Sequence, residues 1–119
     1  EGALQWIEQN ASSDFFLVVE VGSVDASAVG AEDAAGSYAA QVEALDSSAG
    51  RVLQALEGAG LTDKATIAVV ALSGFEMGEH AGIGEPSIYS LETRVPMLLT
   101  SPHFPQGSSI DKIVDVIDL

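Results

Sequence analysis

The chain has 119 residues, 47% of them hydrophobic, and its 18 acidic residues against four basic ones give a formal charge of −14. A polyanion of this density is repelled by phosphate backbones and anionic headgroups, which argues against nucleic acid and membrane-surface partners. Cysteine is absent, so disulfides, thiolate metal sites and a cysteine nucleophile are excluded together.

A positive mean hydropathy and the lack of any low-complexity tract predict one domain, residues 1–119, with a substantial core. The acid excess reads first as solvation, and second as a cation-binding surface. No apolar run reaches the roughly 18 residues of a membrane span. The first residues lack the basic flank and apolar core of a signal peptide, so a soluble protein without membrane insertion is expected, its compartment left open.

In chain order, "ALQWIEQN" sets Leu4 and Ile7 one turn apart and predicts a short amphipathic helix ending near Asn10. "SSDFFLVVEVG" is apolar without interruption from Phe15 to Val19, which predicts a strand buried on both faces with Glu20 at its C-terminal end. The small, polar, glycine-bearing "SVDASAVGAEDAAGSYA" reads as a mobile loop. From Gly36 to Leu56 the apolar positions recur at three and four, which predicts a long helix, stopped by the glycines of "EGAGLTDK". "ATIAVVAL" is a second buried strand and "RVPMLLTSP" a third, with "IDKIVDVIDL" the start of a further helix or a strand with its turn.

Strands separated by long helical connections predict an α/β fold with a mostly parallel sheet between helical layers. Ligands of such sheets gather beyond the carboxyl ends of the strands. That rule singles out Glu20 with Asp25, the stretch Ser73 to His80, and Thr100 to His103.

The stretch "TIAVVALSGFEMGEHAGIGEPSIYSLETRVPMLLTSP" resembles the part of sulfatases, and of their relatives in the alkaline phosphatase superfamily, written T-L-V-V-F-T-S-D-H-G-E-x-x-G-E-H-G-x-x-G-K-x-x-x-Y-E-x-x-x-R-V-P-L-L. "ALQWIEQNASSDFFLVV" and "YAAQVEALDSSAGRVLQALEGAGLTDKATI" are similar to the upstream helix and strand and to the helix before the metal-binding strand. The resemblance covers nearly the whole chain. It implies a C-terminal piece of a three-layer alkaline phosphatase/sulfatase-like fold, in which active members are metal-dependent hydrolases of sulfuric or phosphoric esters.

The same resemblance implies that the chemistry is lost. The family's metal-binding Asp-His pair falls on Ser73 and Gly74, and its anion-contacting lysine on Glu85. A serine hydroxyl is a weak neutral ligand, glycine has no side chain, and a carboxylate repels an anion. The nucleophile motif C-x-P-x-R or S-x-P-x-R is not in the sequence. No activity is therefore expected of this chain alone, and a structural or interaction role comes first. Part of a hydrolase completed by another polypeptide, and an acidic cation-binding module, are the alternatives.

"EVGSVD" is similar to the E-G-x-x-x-D of alkaline phosphatases, with Val29 where a histidine follows. Glu20 and Asp25 can take Mg²⁺ or Ca²⁺ weakly with several waters, or cap backbone turns. No other cofactor is indicated. His80 matches a family loop histidine, able to ligate a metal or contact an anion. Asp46 and Gly50 match a helix pattern in which glycine permits close packing, and Arg94 is expected to pair with carboxylates. His103 reads as a surface residue, and Trp6 and Tyr38 as packing. An exposed sheet edge predicts a second copy or another protein as its cover.

Overall fold

The computed structural model describes residues 1–22, 24, 31–77, 80 and 88–119. Helices α1 (Gly2–Asn10) and α2 (Ala31–Gly58) are followed by β1 (Ile67–Val70), a single turn α3 (Ser90–Thr93) and β2 (Met97–Thr100). A 3-10 turn at Val116–Asp118 lies close to the final residue. Helices and a sheet are both present, as expected of an α/β chain.

The helices form for the reasons their periodicity supplies. In α1 the completely buried Ile7 is the inward residue, and Trp6 meets Phe15 edge to face with centroids 5.2 Å apart. Along α2, Tyr38, Leu45, Ala49 and Val52 are half-buried and Leu56 is buried, whereas Val42 and Leu53 of the predicted stripe are exposed. This helix starts earlier than expected and absorbs the second half of the predicted loop. Alanines at 31, 34, 35, 39 and 40 explain it, since they lose no side-chain freedom in a helix.

The predicted glycine stop is where α2 ends. Leu61 N–H donates to the Leu56 carbonyl and Gly60 N–H to the Glu57 carbonyl, both at 2.9 Å, with Gly60 at φ +69°. This crossed pair of bonds requires the left-handed region at Gly60. Gly60→Ala is therefore expected to lower unfolding stability by about 1–2 kcal/mol, read from a urea titration.

The sheet departs from expectation. Among the described residues it has two strands, and they pair antiparallel, with Ile67 opposite Thr100 and Val70 opposite Met97. The connection across residues 71–96 is long enough to return the chain in either direction, so apolar runs alone do not fix strand direction. Residues 15–19, expected as a buried strand, have no strand partner among the described residues, and Phe16 is 89% and Val18 73% exposed.

The expected large core is likewise absent among the described residues, where Ile7 and Leu56 are the buried hydrophobic side chains. The chain exposes 9174 Å², against roughly 6,000 Å² for a compact monomer of this mass. Its radius of gyration, 16.7 Å, likewise exceeds the roughly 13–14 Å of a compact chain this long. No described helix is long and apolar enough to cross a membrane.

Candidate functional site

The loop leaving β1 is pinned to α3 and to α2. Gly74 N–H donates to the Glu92 carbonyl at 2.7 Å, and the Phe75 ring lies against Tyr38 of α2 at 5.5 Å between centroids. Gly74 sits so close to α3 that a Cβ there would overlap the Leu91 carbonyl oxygen, and would stand 2.7 Å from its carbon. Real Cβ contacts do not reach such distances, so position 74 accepts no side chain.

Two residues further on, Glu76 is completely buried. Its Oε1 lies 3.0 Å from His80 Nδ1, four residues along. The imidazole in turn stacks on Tyr89, with centroids 3.7 Å apart and planes 15° from parallel. Tyr89 carries the carbonyl that accepts from Glu92 and Thr93 at the start of α3. A buried carboxyl group holding one imidazole nitrogen fixes the ring's orientation. Glu76, His80 and Tyr89 thus join the loop after β1 to the turn before β2.

Of the residues singled out in the sequence, His80 and Gly74 belong to this arrangement. Ser73 lies beside it, exposed. Glu20 is exposed at the end of the residues 15–20 segment, while Asp25, Val29 and Glu85 lie outside the described residues. Asp46 is exposed on α2, and among the described residues a Cβ at Gly50 would meet nothing within 4 Å. Arg94 is exposed and, among the described residues, has no carboxylate partner; its N–H closes α3 on the Ser90 carbonyl. His103 is exposed, as read from the sequence, and its N–H donates to Ser101 Oγ.

Glu76 was not singled out by sequence reasoning. A charged residue in a glycine-bearing loop reads as solvated, and the available signal was its spacing of four from His80 within "FEMGEH".

The donors do not fit the divalent metal that the resemblance implies. Among the described residues no three His, Asp or Glu side chains converge. The histidine position of the metal pair is glycine in a place closed to side chains, and Ser73 brings a neutral hydroxyl.

A sulfatase of Formosa agariphila is 26% identical to this chain over 83 residues, covering 70% of the chain and 16% of that protein. The iduronate 2-sulfatase of Mus musculus is 38% identical over 66 residues, covering 56% of the chain and 12% of that protein. No protein-family model matches the chain. No solved structure matches it. The chain is thus sulfatase-like over part of its length, and the matched parts span less than a sixth of these curated relatives.

Proposed function

We propose that this chain is a sulfatase-like element with a structural or interaction role, and that it does not hydrolyse sulfate or phosphate esters by itself. The observation that carries this reading is the overlap at Gly74. The position that the resemblance assigns to a metal-binding histidine has no room for any side chain, and its neighbour Ser73 is exposed with a neutral donor. In sulfatases the metal positions the ester and polarises its oxygens, and a site without those ligands loses that stabilisation. The finer architecture of the reading is part of a three-layer, mostly parallel α/β fold.

A second reading, part of a hydrolase whose other polypeptide brings the nucleophile and metal ligands, is favoured by the imidazole of His80 held on buried Glu76. Such a pair is suited to proton transfer or anion contact. The weaker third reading, a cation-binding module, rests on Glu20 and Asp25 with Mg²⁺ or Ca²⁺ as the ion.

The deciding assay measures hydrolysis of an aryl sulfate and an aryl phosphate by the purified chain, with EDTA and then with Mg²⁺, Ca²⁺, Zn²⁺ or Mn²⁺. Background rates in every arm are expected. Turnover that appears when a polypeptide carrying the nucleophile half of a sulfatase is added, and disappears in His80→Ala, would replace the first reading with the second. A metal-dependent rise in melting temperature, removed by Glu20→Ala and Asp25→Ala without turnover, would favour the third.

A further inference from the structure

We propose that the β1–β2 sheet is a docking edge for the segment 14–20 of a second copy of this chain. The proposal deepens the interaction reading above and rests on its non-catalytic part only in name, since association and turnover are measured separately.

The sheet is poorly defended. Among the described residues each strand is paired on one side only, which leaves an outer row of backbone donors and acceptors on each. Natural edges are guarded by charge, yet residues 65–75 and 95–110 contain no Asp, Glu, Lys or Arg in a chain of charge −14. Leu98 is 66% exposed, and Val69 and Leu99 are exposed as well. The sheet is thus where two copies of a polyanion meet without setting carboxylates against each other.

The occupant has the matching form. Over residues 15–18, Phe15 and Leu17 are half-buried while Phe16 and Val18 are exposed, the alternation of a strand with one free face, and Val19 beyond them is exposed as well. No ladder bond joins this segment to β1 or β2 in its own chain, where Phe15 is held by Trp6. Its ends are Asp14 and Glu20, and the two strands of the sheet are each preceded by a cation, Lys64 before β1 and Arg94 before β2, both exposed. Whichever strand it joins, and in either direction, an acidic end of the segment meets a basic end of the sheet. Exchange between two copies makes two such contacts related by a twofold axis. It covers surface that the chain exposes in excess of a compact monomer.

The test is sedimentation velocity on the full chain across a dilution series in physiological salt, with circular dichroism on each variant. A monomer–dimer equilibrium is expected. Val18→Pro, which removes an N–H at an exposed position, and Phe16→Glu should each weaken it by about tenfold or more with unchanged helix content. The double reversal Lys64→Glu with Arg94→Glu should weaken it too, and Asp14→Lys with Glu20→Lys in the same chain should restore it. A chain that stays monomeric throughout, or a dimer indifferent to all these changes, overturns the proposal. So does a monomer whose amides at 14–20 are protected from exchange, because the pairing is then internal. A monomer without turnover sinks the docking alone; turnover sinks the non-catalytic reading and leaves the docking standing.

Discussion

Gly74→His, which installs the ligand that the sulfatase resemblance assigns to this position, is expected to destabilise the chain and to bring no hydrolysis. The new Cβ would overlap the Leu91 carbonyl oxygen and stand 3.0 Å from Glu92 Cα, so the obstacle is backbone of α3. A flexible side chain could swing away, whereas a helix turn moves only by giving up its own bonds. The 2.7 Å bond from Gly74 N–H to the Glu92 carbonyl would be strained as α3 moved off. Gly74→Ala isolates this cost from that of the imidazole, and a loss of about 3 kcal/mol or more is expected for it. In a thermal melt this corresponds to a fall of roughly 10–20 °C. An alanine variant within about 0.5 kcal/mol of the wild type would show that the loop and α3 are not in contact, and would remove the main support for a closed site.

The second large effect is expected at His80. Removing its ring in His80→Ala takes the imidazole from Oε1 of a carboxylate that is completely buried, and takes away the face on which Tyr89 stacks. Loss of a hydrogen bond to a buried charged group should cost about 1–3 kcal/mol, measured by urea unfolding. His80→Gln, which can still donate to Glu76, should recover part of it. His103→Ala is the control, because that ring is exposed, and a change within about 0.5 kcal/mol is expected. Equal effects at both histidines would show that the Glu76 contact contributes nothing to folding. A double-mutant cycle with Glu76→Gln separates the pairing from the stack on Tyr89.

The helices were legible because their causes are local. The recurrence of Leu4 and Ile7, the stripe from Tyr38 to Leu56, and the glycine after Gly58 act within a few residues of themselves. The alanines that carry α2 back to Ala31 were legible too, and reading them as a loop put too much weight on one glycine and the polar residues among them. That position 73 carries a hydroxyl and position 74 no side chain was visible as residue types. What sequence reasoning missed is the neighbour that makes glycine necessary, since Leu91 lies far along the chain.

For the strands, apolar runs announced extended segments but not their partners. Ile67–Val70 and Met97–Thr100 do pair, in the antiparallel sense, whereas Phe15–Val19, with the same apolar character, pairs with neither. Hydrophobic pattern states that a segment would be stabilised by burial, and a partner has to be in reach for burial to occur.

By itself the sequence determined the features that need no distant neighbour, namely the charge of −14 and the positions of the main helices. It also determined the sulfatase-like character that the curated relatives share over part of the chain. Only the tertiary structure decided strand direction, the burial of Glu76 beneath His80, and the closure of position 74. Each of these depends on which distant backbone arrives at a given point, and the route of the connection across residues 71–96, which no local periodicity encodes, sets that arrival.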